Sequence, residues 1–176
     1  TYIQGTVIGL SASVNKDLLL VHTERDRSTL YAYNFYWKGQ EKVQSCWGKW
    51  RFNGDIQGFA ILGEVVYLFV QYSDGVYLEY ITLAQDSTKT DLGFCVHSDR
   101  RCIITGVYDS ATEHTTLTLP YPTTHTLEVV ASGDFSFAGK QLTVLERPDT
   151  TTAVVKGDLS SGGVYVGVPY TMEYTF

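Results

Sequence analysis

Apolar positions along the chain alternate with polar ones or form short uninterrupted runs, and no segment sustains a period of 3.6. The clearest run is Val65-Val66-Tyr67-Leu68-Phe69-Val70-Gln71-Tyr72, then Ser73-Asp74-Gly75, then Val76-Tyr77-Leu78-Glu79-Tyr80-Ile81-Thr82-Leu83. β-Branched and aromatic side chains suit a pleated surface. Asp-Gly between two such runs predicts a tight hairpin, because both central residues tolerate positive φ. With Asp74-Gly75 as the loop, Tyr72 faces Tyr77, Val70 faces Glu79 and Leu68 faces Ile81. Alternation then puts Val66, Leu68, Val70 and Tyr72 on one face and Tyr67, Phe69, Leu78 and Tyr80 on the other. Both faces are apolar, whereas a sheet with one wet side alternates hydrophobic and polar. The hairpin is therefore expected to be covered on both sides, as stacked propeller blades are.

A weak internal repeat points the same way. Val7-Ile8-Gly9-Leu10 is followed by Leu18–Thr23 and by the aromatic stretch Thr29–Phe35. About fifty residues further on, Ile56-Gln57-Gly58-Phe59 precedes the hairpin, a spacing in the range of blade repeats. Each copy reads as a short strand, an apolar strand and an aromatic strand. Residues 1–84 are expected to be about two propeller blades, the alternative being a small sandwich with coincidental similarity. Ala84–Asp91 is polar and aperiodic and reads as a linker, with a short helix possible near Ser87–Leu92. Residues 92–176, within an expected second domain of residues 85–176, show shorter strands and stricter alternation: Leu117 and Leu119 between threonines, Leu127 and Val129 around Glu128, Met172, Tyr174 and Phe176 near the end. Turn signals separate them, which predicts an antiparallel sandwich or barrel of about six to eight strands. The fold class expected is all-β, a partial propeller plus an antiparallel sandwich-like or barrel-like domain.

Composition narrows the function. The chain has 176 residues, 44% hydrophobic and 18% charged, which fits a packed core rather than a disordered tail. No apolar run is long enough for a transmembrane helix, and the start lacks the pattern of a signal peptide. The first residue is Thr1, and Tyr174-Thr175-Phe176 reads as the middle of a strand, so the chain is expected to be a piece of a longer one. The net charge of −6 argues against an electrostatic nucleic-acid clamp, which would be rich in Lys and Arg.

The search for chemistry yields little. Cys46, Cys95 and Cys102 are odd in number and scattered, which is not a disulfide framework. The six-residue gap between Cys95 and Cys102 does not suit zinc. A hairpin centred on Ser98-Asp99 would instead set Cys95 against Cys102 as packed thiols. No nucleophile elbow, metalloprotease or phosphate-loop motif is present. Glu24 with Asp26, Asp74 with Glu79 and Asp109 with Glu113 are the carboxylate pairs a glycosidase could use, but each lies in or beside an expected turn. Trp47 and Trp50 are three apart and should point to opposite faces of a strand, which argues against a continuous aromatic platform. No catalytic, cofactor-binding or metal-binding residue is assigned.

Several blocks nevertheless resemble one family. Lys42–Phe52 with Val66–Val70 and Tyr77–Ile81, Thr105–Asp109 with Thr116–Tyr121, and Gly157-Asp158-Leu159 with Tyr165–Tyr170 together resemble tail tubular protein B, the nozzle of short-tailed phages. The resemblance implies a β-propeller with added β domains in a homohexameric ring, placed below an adaptor ring (the other tail tubular protein) and around a DNA exit channel. It implies contact with tail fibres, non-specific passage of viral DNA during genome ejection, a virion location after assembly in the host cytoplasm, no cofactor and no enzymatic step. A channel wall that is not basic would let phosphates pass without sticking. The alternative is a carbohydrate-binding or polysaccharide-degrading β protein of the virion, for which exposed Trp37, Trp47 and Trp50 would be the best support.

Overall fold

The computed structural model describes residues 2–83 and 93–172. The chain separates into two compact units, Thr1–Ser87 and Thr88–Phe176. All regular structure among the described residues is antiparallel β except a single 3-10 turn, Val14–Lys16. The expected linker, the short helix near Ser87–Leu92, and the alternating Tyr174 and Phe176 lie outside the described residues.

The first unit holds two meanders. β1 (Val7–Ser13), β2 (Leu18–Thr23), β3 (Thr29–Lys38) and β4 (Glu41–Arg51) form one sheet in sequence order. β5 (Asp55–Leu62), β6 (Val65–Tyr72) and β7 (Gly75–Thr82) form the other. The repeated trio of strands is thus real as β1-β2-β3 and β5-β6-β7. β4 is extra, and hard to single out as a strand because none of its residues is buried. The inner faces pack together: Leu18, Leu20, Leu30 and Ala32 meet Ile56, Val66, Leu68 and Val70, with Trp50, Phe59 and Tyr72 at the margin. Burying a Leu or Val side chain fully is worth about 1.5–3 kcal/mol, so this layer dominates the unit's stability.

Turn chemistry sets the register. The loops Gly39-Gln40 and Gly63-Glu64 each begin with a glycine, at φ 63° and 61°, where a side chain would be strained. The β6–β7 loop differs from the expectation. Tyr72 pairs with Gly75, Val70 with Tyr77 and Leu68 with Glu79, so the two-residue loop is Ser73-Asp74 and Gly75 belongs to the strand. The reason is local: Asp74 accepts a hydrogen bond from the Tyr77 hydroxyl, and the Gln71 amide donates to the Tyr72 and Gly75 carbonyls at 2.7 and 3.2 Å. A slip of two residues preserves the side-chain faces. Tyr72 and Tyr77 still meet, edge to face at 5.7 Å, but diagonally.

Among the described residues, the second unit holds eight strands in two four-stranded sheets, neither closed. One runs β13 (Val144–Glu146), β14 (Thr152–Lys156), β10 (His114–Thr118), β9 (Val107–Asp109). The other runs β12 (Gln141–Leu142), β11 (Glu128–Ala131), β15 (Val164–Val168), β8 (Asp99–Ile104). β10 shows the expected alternation, Thr115 and Leu117 buried, Thr116 and Thr118 exposed. Thr115 tolerates burial because its hydroxyl donates to the Gly157 carbonyl at 2.6 Å and accepts from the Leu159 N–H at 3.1 Å. The hairpin expected around Ser98-Asp99 does not form. β8 pairs with β15 instead, placing Cys102 opposite Val166, and Cys95 is exposed in a single isolated bridge. Arg101 donates to the Val96 carbonyl at 3.0 Å, which holds residues before β8 in an irregular path.

Candidate functional site

The first unit carries aromatic and apolar side chains on the outer side of each sheet, part of them exposed. On β3, Tyr31, Tyr33 and Phe35 alternate toward the outer side, and β4 adds Trp47 opposite Tyr33 and Lys49 opposite Tyr31. Tyr33 and Trp47 lie 4.8 Å apart between ring centres, Tyr33 and Phe35 5.7 Å, and Tyr2 spans Tyr31 and Trp47 at 5.8 and 6.2 Å. Cations lie over the row. Lys49 sits 5.1 Å from the Tyr2 ring and 5.4 Å from Tyr31, and Lys42 sits 5.4 Å from Tyr33. The Lys42 ammonium also donates to the Tyr33 hydroxyl at 2.6 Å. That bond, helped by Ser45, lowers the Tyr33 pKa from its ordinary value, because it favours the phenolate.

The expectation of no aromatic platform is therefore corrected. Trp47 and Trp50 do face opposite ways, Trp50 toward the core. The row arises because Trp47 joins three aromatics of the neighbouring strand. Reading tryptophans within one strand missed it; the alternation of Tyr31, Tyr33 and Phe35 was the available signal. Trp37 and Trp47 are 51% and 40% exposed.

The other face belongs to β5, β6 and β7. Tyr67 pairs with Ala60 and Tyr80, and Phe69 with Leu78. All point away from the core, as alternation requires, and Phe69, Leu78 and Tyr80 are more than half exposed. The hairpin does have two apolar faces, and among the described residues of this unit the inner one is covered while Phe69, Leu78 and Tyr80 of the outer one are exposed.

His22 marks the seam between the two sheets. It is 3% exposed, meets the Phe59 ring edge-on at 6.2 Å, and its Nε2 donates to the Arg27 carbonyl at 3.1 Å. The same carbonyl accepts the Ile56 N–H at 2.8 Å. Burial lowers the His22 pKa from its ordinary value, so the ring is neutral in the folded unit. Lys16 pairs with Glu64 at 2.5 Å across the same seam, and the Ile61 N–H donates to the Ser11 hydroxyl at 3.1 Å.

The carboxylates singled out in sequence serve loops and strands. Asp109 accepts the Ala111 N–H at 2.9 Å and the Thr112 hydroxyl at 3.0 Å, and these bonds lower its pKa. Glu79 accepts the Tyr72 hydroxyl at 2.8 Å. Asp149, not among those pairs, also binds its own turn through Thr151 and Thr152. A recess of about 590 Å³ next to it is lined by Thr123–Leu127, Val144, Arg147, Asp149 and Thr150. Its main cation is committed: the Arg147 guanidinium donates to the carbonyls of Thr123, His125, Thr150 and Thr152 at 2.8–3.2 Å. No group of three or more metal-ligating side chains occurs among the described residues.

The first unit thus presents aromatic and apolar side chains on the outer sides of both sheets, with Lys42 and Lys49 over one of them. A family model described as bacteriophage nozzle protein matches residues 1–176. The chain belongs to that family. No curated protein matches it. Membership makes this nozzle protein a structural component of the phage tail, located in the virion with other tail parts. A tail nozzle protein assembles with other tail components.

Proposed function

We propose that this chain is part of a homohexameric nozzle ring that lines the DNA exit channel and conducts the genome into the host without chemistry. Its first unit acts as about two propeller blades, its second as a sandwich-like domain on the ring, with an adaptor ring above and tail fibres beside it. Assembly takes place in the host cytoplasm before the particle is released. The family match along the whole chain is the observation that carries this reading. The sheet of β5, β6 and β7, apolar on both sides, supports it, since blades in a propeller cover both faces of each sheet. Negative-stain electron microscopy of the full-length protein, alone and with its adaptor ring, is the test. Six-fold rings with a channel wide enough for duplex DNA are expected, and monodisperse particles without rings under any condition would remove the proposal. A second reading, glycan binding, is favoured by the exposed Trp37 and Trp47 beside Lys42 and Lys49. Retardation of the chain in gels cast with bacterial surface polysaccharide would support it.

A further inference from the structure

The chain holds three asparagines, Asn15, Asn34 and Asn53, and they stand in different chemical company. Asn15 lies in the 3-10 turn and is followed by Lys16. Asn34 lies inside β3, paired with Leu18 and Cys46, and the N–H of the next residue, Phe35, is held by the Asp17 carbonyl at 3.0 Å. Asn53 is followed by Gly54, in the bend that joins β4 to β5 and carries the chain from one sheet of the first unit to the other. Asn53 is exposed, and among the described residues its carboxamide has no hydrogen-bond partner.

This dipeptide has a reaction open to it. A main-chain nitrogen can attack the side-chain carbonyl carbon of an asparagine just before it, closing a cyclic imide. A side chain on the attacking residue crowds the approach, whereas glycine has none and leaves the backbone free to turn into it. The Gly54 nitrogen bonds to Asn53 Cγ, the Cγ–Nδ2 bond breaks, and the Gly54 amide proton leaves with Nδ2 as ammonia. Water then opens the imide. Cleavage of the new bond to Cγ gives aspartate. Cleavage of the bond to the main-chain carbonyl carbon gives isoaspartate, whose main chain runs through the side chain and is one methylene longer.

We propose that Asn53-Gly54 is a self-modification site, where the folded chain is deamidated by water and adds one negative charge to its net −6. The bend is poorly placed to absorb the isoaspartate product. The Phe52 N–H is bonded to the Ser28 carbonyl and the Ile56 N–H to the Arg27 carbonyl, both at 2.8 Å, so the chain is pinned on either side of the dipeptide. Gly54 itself lies tight against β6. A Cβ there would sit 2.6 Å from the Gln71 carbonyl oxygen and 2.8 Å from Val70 Cγ1. An extra methylene has to push one of these contacts aside. The Arg27 carbonyl also accepts from His22, so the disturbance reaches the seam between the sheets. The inference goes beyond the nozzle reading and needs neither rings nor glycan: each copy of the chain records its age at one place.

Incubation of the purified 176-residue chain in mildly alkaline buffer, followed by trypsin digestion and mass spectrometry, tests it. Cleavage after Arg51 and Lys89 releases a peptide in which Asn53 is the only asparagine. That peptide should gain about one dalton and separate into aspartate and isoaspartate forms on chromatography. Conversion at Asn53 should run at least about tenfold ahead of conversion at Asn34, whose strand has to open first. Asn53→Gln should abolish the gain; the position is exposed, so this variant folds, whereas Gly54→Ala would collide with Gln71. In urea titrations followed by tryptophan fluorescence, the aged chain should unfold at lower denaturant than freshly prepared Asn53→Asp, which carries the same charge on an ordinary main chain. A peptide that stays unchanged in the folded chain while the urea-unfolded chain converts would overturn the site, because the fold then holds the two residues out of reach. So would a gain that persists in Asn53→Gln, or one that comes first at Asn15 or Asn34. Equal midpoints for the aged chain and Asn53→Asp would overturn the effect assigned to the longer main chain.

Discussion

Leu68 and Phe69 are neighbours on β6 that point to opposite sides, so truncating each isolates what one face contributes. Leu68 is fully buried between the sheets, and Phe69 is 53% exposed. Leu68→Ala removes hydrocarbon equivalent to about three methylenes, or about 2.4 kcal/mol of transfer free energy at ~0.8 each. The cavity adds to this, because packed sheets on both sides of the site limit collapse, bringing the expected loss to about 3–4 kcal/mol. A unit of this size has about 4–13 kcal/mol in total, so the variant should be close to unfolding. Phe69→Ala should cost under about 1 kcal/mol in the monomer, since half the ring already meets water. The assay is urea unfolding followed by tryptophan fluorescence at one low protein concentration for all variants. Trp37, Trp47 and Trp50 are the chain's three tryptophans and all lie in β3 and β4, so the signal reports the first unit alone. With a slope near 1 kcal/mol per molar urea, Leu68→Ala should move the midpoint down by about 3 M. Equal losses for the two variants, or a larger loss for Phe69→Ala, would refute the assignment of inner and outer faces.

Three further outcomes are expected. His22 is neutral when folded and its pKa is lowered by burial, so the unfolded chain takes up its proton first as pH drops. Stability of the first unit should therefore fall as pH goes below about 6.5, the unfolded value, and His22→Gln should flatten that decline in fluorescence-monitored urea titrations. In the second unit Asp149 has a lowered pKa, chiefly from the Thr151 N–H and hydroxyl, so its stabilisation is present above the ordinary carboxyl range and lost as pH falls through its folded value. Asp149→Asn should weaken the acid dependence of far-UV circular dichroism melts. A colorimetric thiol titration should show Cys46 and Cys95 reacting rapidly and Cys102 slowly, since burial raises its pKa and limits access; three equal rates would contradict its placement opposite Val166.

Much of the fold was legible because its signals were local. Alternation fixed the two faces of β6 and β7, and a register slip of two residues left that assignment intact. The hairpin loop was misplaced by one residue because Asp-Gly suggests a turn in which both residues take positive φ, while the contacts of Asp74 with Tyr77 and of Gln71 with the strand ends favoured Ser73-Asp74. The Cys95–Cys102 hairpin failed because β15, more than sixty residues later in the chain, takes the pairing edge of β8; strand partners at that distance leave no mark on the local pattern. The aromatic row was hidden for the same reason, since Trp47 meets Tyr33 only through the register of β3 and β4. Arg147 was not singled out at all: a lone arginine near Pro148-Asp149 gives no hint that it will collect four carbonyls.

That arginine has a consequence for the order in which the second unit assembles. The stretch between β10 and β11 contributes the Thr123 and His125 carbonyls, and its Leu119 and Thr123 N–H groups bond to Thr151 and Thr150. All of these partners lie more than twenty residues downstream, in or beside the turn that joins β13 to β14. Upstream, the stretch is held by Tyr121, whose hydroxyl donates to the Arg100 carbonyl at 2.5 Å; its bonds to Arg147, Thr150 and Thr151 need that turn, and closing so long a loop has an entropic cost that must be met first. Substitutions at Arg147 should therefore slow the last phase of refolding more than they disturb the strands already formed, and a Lys there, with three donors in place of five, could restore charge without restoring speed.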